Sequence, residues 1–344
     1  MEIDNRVIVI GASAGGVEAF LRIAARLSPN LPAPVLIVLH IGAHRSHLPE
    51  LLNRSGPNHA VLAQTGMQPV AGMIYVAPPD QHLLLDGGLL RLIRGPKENH
   101  ARPAINPLFR SAALDKGARV VGVVLTGMLD DGAAGLRAIK ACGGIALVQD
   151  PEEAAEPSMP RSALASTAVD HVLRLDAMTD LLNSLAQPLE NAPATNAPEW
   201  LRIEHAVSLG NANMQDLDAI GVPSKFTCPE CGGALFEVKE GKPLRFLCHT
   251  GHAFSLRGLA SLQENVTDET LWSALRALQE KEAILRRLAQ VQASETPGSE
   301  SATFAEAEKL AQFIVGMRAI VRSAPPSGPV DGSESMPEKP GVER

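Results

Sequence analysis

Aromatic residues make up only 3% of this 344-residue chain, with one tyrosine and two tryptophans, so its core has to be built from Leu, Val, Ile and Ala. Long apolar runs are missing as well: nothing approaches the roughly 18 uncharged residues that mark a transmembrane helix. Residues 1–5 carry no basic stretch, so no secretory signal peptide is expected. Positive charge is in deficit. With 31 Lys and Arg against 38 Asp and Glu the net charge is −7, and such a chain is not expected to bind nucleic acid through bulk electrostatics. Cysteine is sparse, with four in all, and the chain reads as cytoplasmic, where thiols stay reduced. No internal repeat is visible. What is present suffices to fold: 45% of residues are hydrophobic and 20% charged. At about 150 residues per domain, this length suggests two units, or one large domain with appendages.

The first half alternates apolar runs with helical spacing. Val7–Ile10, Pro34–Leu39, Arg119–Leu125 and Gly144–Val148 are continuous and rich in Val, Ile and Leu, the pattern of strands buried on both faces. Met73–Ala77 and His82–Leu85 flank the turn Pro78-Pro79-Asp80. Helical spacing runs over Val17–Leu27, His47–Arg54 and Gly135–Ala141. The pattern predicts an α/β domain, a doubly wound, mostly parallel sheet, over residues 1–186. A Pro/Ala/Asn-rich linker is expected over 187–200, a Cys/His module over 201–265, amphipathic helices over 266–322, and a disordered tail over 323–344. In the helical region Leu271, Leu275, Leu278, Ile284, Leu285 and Leu288 fall near one stripe.

The sharpest local feature is Val7-Ile-Val-Ile-Gly-Ala-Ser-Ala-Gly-Gly16, which sets Ser13 on a tight strand-to-helix turn between small residues. This is the G-x-S-x-G arrangement, where crowding demands glycine, the hydroxyl is pushed outward, and N–H groups at the next helix start are free to stabilise an oxyanion. A phosphate-binding loop fits less well, because Ser13 stands where such a loop needs glycine and no Walker lysine follows. A plain turn capped by serine is the bland alternative. A nucleophilic serine needs a base and an orienting carboxylate. Of the ten histidines, His40 directly follows an apolar strand and so emerges at the same sheet edge as Ser13. His44, His47, His59, His82, His100 and His171 lie in polar stretches and are expected to be solvated. Asp130 and Asp131 follow the Arg119–Leu125 strand and are the candidate carboxylates. Cys142, alone at a helix end, reads as a small buried filler.

These residues resemble a known family. Ile10-Gly-Ala-Ser-Ala-Gly-Gly16, Leu39-His40, Tyr75-Val-Ala-Pro-Pro-Asp80, Arg102-Pro-Ala-Ile-Asn106, Leu125-Thr-Gly-Met-Leu-Asp-Asp-Gly132 and Met159-Pro160 are similar, in order, to the catalytic domain of bacterial chemotaxis protein-glutamate methylesterases. The resemblance implies hydrolysis of glutamate γ-methyl esters on chemoreceptors. It maps the catalytic residues to Ser13, His40 and Asp131, and the oxyanion donors to the backbone amides of Ala14 and Met128. Arg45 and Arg102 would be the cations near acidic neighbours of the substrate, with ordinary solvated arginine as the alternative. Three departures stand out. Ala14 replaces the usual Thr, Leu129 replaces a usual Gly and is expected to alter the loop's backbone angles, and the sequence starts at the catalytic strand where the family's usual enzyme has a receiver domain first.

Cys228-Pro-Glu-Cys231 and Cys248-His-Thr-Gly-His252 form the second constellation. Two ligand pairs on glycine-rich turns are the pattern of a zinc ribbon, so Cys228, Cys231, Cys248 and His252 are expected to hold a closed, structural Zn2+, with His249 as the alternative fourth ligand. No dense basic patch accompanies them, which favours a protein partner or local stability over nucleic acid. The rivals to a methylesterase are a receptor glutamine deamidase using the same acyl-serine route, a non-catalytic scaffold whose zinc and helical regions bind a signalling partner, and a nucleotide-binding sheet.

Overall fold

The computed structural model describes residues 5–41, 46–190, 192–193, 196–211, 213–239, 241–296 and 301–323. The chain divides into two compact units, Met1–Leu259 and Ala260–Arg344.

The expected parallel sheet is present and has seven strands: β1 (Val7–Ala12), β2 (Val35–Leu39), β3 (His59–Leu62), β4 (Met73–Val76), β7 (Val120–Val124), β8 (Ile145–Gln149) and β9 (His171–Leu173), in the order β3-β4-β2-β1-β7-β8-β9. β1 is central, in parallel register with β2 through Ile10↔Ile37 and with β7 through Ile10↔Val123. Its side chains alternate between two layers. Ile8 and Ile10 meet Phe20 and Ile23 of α1 (Gly16–Arg26), Leu52 of α2 (Leu48–Ser55) and Leu182 of α6 (Leu175–Leu185). Val7 and Val9 face Leu108 and Phe109 of α3 (Ile105–Lys116), Leu136 and Ile139 of α4 (Ala133–Ala141) and Met159 of α5 (Ser158–Ser166). The His82–Leu85 segment does not join this sheet. As β5 (His82–Asp86) it makes an antiparallel hairpin with β6 (Leu89–Ile93).

The segment read as a linker is partly core. Ala197 and Leu201 are buried among the side chains that also pack on α3, and Arg137 of α4 lies 4.3 Å above the Trp200 ring. Leu201 and Trp200 belong to α7 (Glu199–Ser208), followed by α8 (Met214–Ile220). A second sheet of four antiparallel strands comes next: β10 (Gly221–Thr227), β11 (Ala234–Val238), β12 (Arg245–Cys248) and β13 (Ala253–Ser255). Ser255 ends it and starts α9 (Leu256–Glu295), accepting the Gly258 N–H at 2.9 Å as an N-cap. The helix thus begins inside the segment assigned to the Cys/His module, because the cap, rather than the apolar period, sets its start.

In the second unit, α9 is joined by α10 (Ser301–Ser323). Leu275, Ala289, Ala307, Ile314 and Val321 are buried, and Lys281 pairs with Glu306 at 3.4 Å. The expected stripe is only partly used: Ile284 and Leu288 remain 66% and 46% exposed. No described helix is long and apolar enough to cross a membrane. The tail beyond Ser323 lies outside the described residues.

Candidate active site

The strand order reverses beside β1, and in such sheets the crevice at the carboxyl ends of the switch-point strands is where ligands bind. Ser13 directly follows β1, His40 follows β2, and the loop bearing Asp130 and Asp131 follows β7. Backbone bonds lock these ends together: Ser13 N–H donates to the Thr126 carbonyl at 2.9 Å and His40 N–H to the Ala12 carbonyl at 3.1 Å. Gly127 must be glycine, since a Cβ there would lie 2.1 Å from Met159 Sδ and 2.8 Å from Ser13 Cβ.

Of the two aspartates, Asp131 meets His40, with its Oδ2 2.7 Å from Nε2. Asp131 is buried and anchored by backbone donors at two helix starts, Ile105 N–H at 2.7 Å and Gly132 N–H at 2.9 Å. Burial pushes its carboxyl up, but the His40 bond and charge and these N–H groups outweigh it and hold the pKa below the ordinary value. His40 is 20% exposed at its side chain, and Nε2 is the ring nitrogen that Asp131 engages. The Ser13 hydroxyl makes no hydrogen bond to His40 among the described residues; the two sit at the ends of adjacent paired strands.

Neither Ala14 nor Met128 has a hydrogen-bond acceptor for its backbone N–H among the described residues. Thr126 braces both sides of this pair. Its hydroxyl donates to the Ala14 carbonyl at 2.9 Å and accepts the Glu156 N–H at 2.8 Å, while Gly127 N–H donates to the Glu156 carbonyl at 2.9 Å. Leu129 has φ at +62°, in the left-handed region that glycine occupies freely and leucine only at a cost of about 1–2 kcal/mol.

Several expectations are corrected. His82 is not solvated: it is 2% exposed, its Nε2 donates to the Pro96 carbonyl at 2.9 Å, and its Nδ1 accepts the Ala104 N–H at 3.2 Å. Arg102 is neither a solvated arginine nor a free cation, since its guanidinium holds Asp80 at 2.6 Å and the Gly95 carbonyl at 2.7 Å. Arg45 and His44 lie outside the described residues. Asn106 was overlooked: its buried side chain accepts the N–H groups of Gly132 and Gly135 at 3.1 and 2.7 Å, capping α4 beside Asp131. Only the Arg102–Asn106 block hinted at it. Asp130 is buried with Oδ1 unpartnered, and burial pushes its pKa up to about 6. Cys142 is buried as expected, its thiol pushed up to about 11 by burial.

At the other constellation, one ligand atom each from Cys228, Cys231, Cys248 and His252 lies within 4.8 Å of the others. The Cys231–Cys248 sulfur separation is 3.8 Å. A tetrahedron with Zn–S bonds of about 2.3 Å has an edge of about 3.8 Å, so the donor set and its spacing fit Zn2+. His249 packs against Gly233 instead. Thr250, unremarked in the sequence, places its hydroxyl 2.9 Å from Cys248 Sγ and 3.2 Å from Cys231 Sγ.

The profile of the CheB methylesterase family matches residues 8–182. A Leptospira interrogans protein named as a putative protein-glutamate methylesterase/protein-glutamine glutaminase is 40% identical over 182 residues, covering 52% of this chain and 94% of the relative. An Anaeromyxobacter dehalogenans protein of the same named activity is also 40% identical over 182 residues, but the match spans 53% of each. The crystal structure of the Thermotoga maritima CheB methylesterase catalytic domain superimposes with a TM-score of 0.51 at 30% identity, over 53% of this chain and 98% of that one. The chain belongs to the CheB methylesterase family.

Proposed function

We propose that the chain is a serine-type protein-glutamate methylesterase that demethylates glutamate γ-methyl esters on chemoreceptors in the cytoplasm. The observation that carries this reading is the 2.7 Å His40–Asp131 pair, set beside Ser13 at the switch point of the sheet. His40 Nδ1 takes the Ser13 proton as the hydroxyl oxygen attacks the ester carbonyl. The backbone N–H groups of Ala14 and Met128 stabilise the oxyanion, and loss of the Thr side chain at position 14 leaves that donor in place. Methanol leaves with the proton from His40. Water repeats the attack on the acyl-serine, releasing the glutamate carboxylate and restoring Ser13. Asp131, kept ionised by its three backbone donors, fixes the imidazole and stabilises its cation. The names of the relatives support a second use of this route, deamidation of glutamine with ammonia as the leaving group.

Residues 1–186 form the catalytic domain in this reading, followed by the Cys/His module and the helices. Cys228, Cys231, Cys248 and His252 hold Zn2+, which when bound ties the two knuckles together and takes no part in the chemistry. The exposed apolar side chains of α9 and α10 fit a protein signalling partner rather than nucleic acid.

The test is methanol release from methylated receptor membranes, comparing the intact chain with Ser13→Ala. Release should fall by at least about 10⁴-fold in the variant. Equal release from both proteins, or none from the intact chain, would overturn the reading.

A further inference from the structure

The family match ends at residue 182, yet the loop that carries Met128 and Asp131 is also held from beyond that point. Strand β13 lies along the 97–99 segment: Asn99 N–H donates to the Ala253 carbonyl at 2.8 Å, and Ser255 N–H donates to Asn99 Oδ1 at 2.8 Å. Beneath this seam, Arg110 of α3 holds Glu98 in a buried bidentate pair at 2.8 and 2.7 Å, and Arg245 of β12 holds Glu204 of α7. The sheet of β10–β13 is therefore fixed to the α/β sheet's own helices.

Two of its contacts reach the catalytic loop. A serine hydroxyl has one proton and two acceptor sites. Ser255 accepts the Gly258 N–H, and it lines one small cavity together with the carboxyl of Asp130, the residue directly before Asp131. Asn99, Asn106, Arg245 and Phe254 close the small cavity around that carboxyl. Two residues on, Arg257 donates to the Ser162 hydroxyl at 3.4 Å, and Ser162 donates to the Leu129 carbonyl at 3.3 Å. Each of these last two bonds is long and weak alone, but they grip the loop at the residue next to Asp130. A loop that keeps Leu129 at positive φ has reason to need such grips, because the local backbone relaxes when they are removed.

We propose that Ser255 and Arg257 are positioning residues for acyl transfer: through Asp130 and through Ser162 they set the loop Gly127–Gly132, and with it the Met128 N–H and Asp131. The inference rests on the methylesterase reading. Displacement of such groups by about 1 Å costs up to about a hundredfold in rate, so the contacts need only hold the loop still.

The experiment measures kcat and KM for methanol release by the full chain, with Ser13→Ala, Ser255→Ala, Arg257→Gln, Arg257→Lys and the Ser255→Ala/Arg257→Gln double variant alongside. Arg257 is exposed, so its variants report on the loop without a folding penalty. Expected are kcat losses of about tenfold or more for Ser255→Ala and Arg257→Gln with KM unchanged, partial recovery in Arg257→Lys, and a double variant that loses less than the product of the singles. Wild-type kcat in both single variants would overturn the inference while the Ser13-dependent release of the intact chain upholds the esterase. A kcat loss that matches the loss of folded protein in thermal melts, with no recovery in Arg257→Lys, would overturn it as well. Absence of Ser13-dependent release from the intact chain would instead overturn the reading beneath it.

Discussion

The seven-stranded sheet and the four-stranded sheet solve the same problem in opposite ways. The first buries whole layers of Val, Ile and Leu against helices on both faces. The second has a core of few side chains, chiefly Val207, Leu217, Phe236, Val238 and Leu247. It adds a Cys₃His cluster and a buried Arg245–Glu204 pair, and borrows the surface of α3 and α4. A small sheet without enough apolar surface has to be stapled, whereas the large one is held chiefly by burial.

The largest test of this contrast is metal removal. With Zn2+ stripped by a chelator, or with Cys228→Ser, the four-stranded sheet should lose on the order of 10 kcal/mol of metal-linked stability. Amide exchange should then accelerate throughout β11 and β12 while Val120–Val124 stays protected. Uniform loss of protection in both sheets would show that they fold as one cooperative unit.

Next in size is the buried pair. Glu204→Gln leaves Arg245 charged and unpaired at 5% exposure and should cost about 3–5 kcal/mol in urea unfolding. Asp170→Asn, which breaks the more exposed Lys140–Asp170 pair of the large sheet, should cost about 1 kcal/mol or less.

The adjacent aspartates give the third test. Burial raises the Asp130 pKa from 3.8 to about 6, so its ionised form opposes folding above pH 6, and this penalty fades between pH 6 and 3.8 as the folded state takes up the proton. Asp130→Asn should therefore stabilise the protein by roughly 3 kcal/mol at pH 8 and by nothing below pH 3.8. Asp131 has the opposite sign: its depressed pKa contributes stability above 3.8 that is lost as pH falls through the folded value. A pH-independent effect of Asp130→Asn would show that the carboxyl titrates alike in the folded and unfolded chain, so that burial does not raise it. The smallest effect is at Leu129. Leu129→Gly should leave the melting temperature nearly unchanged, because relief of about 1–2 kcal/mol of left-handed strain offsets about 1 kcal/mol of added chain entropy. A drop as large as that of an ordinary helical Leu→Gly would remove the strain argument.

Local sequence determined the strands and their ends. Short continuous β-branched runs favour buried strands, and a serine among small residues at the end of one favours a tight turn, so Ser13, His40 and the Asp130–Asp131 loop were legible as one sheet edge. The Cys/His cluster was equally legible, because residues able to share one metal must be close in space and these are close along the chain. Tertiary structure alone decided the remainder. Burial of His82, the cap by Asn106 and the pairing of Arg102 with Asp80 all depend on partners 22 to 26 residues away, which no local pattern encodes. The same holds for the seam between the two sheets. Its hydrogen bonds join Asn99 to Ser255 across 156 residues, and only a folded chain brings them to 2.8 Å.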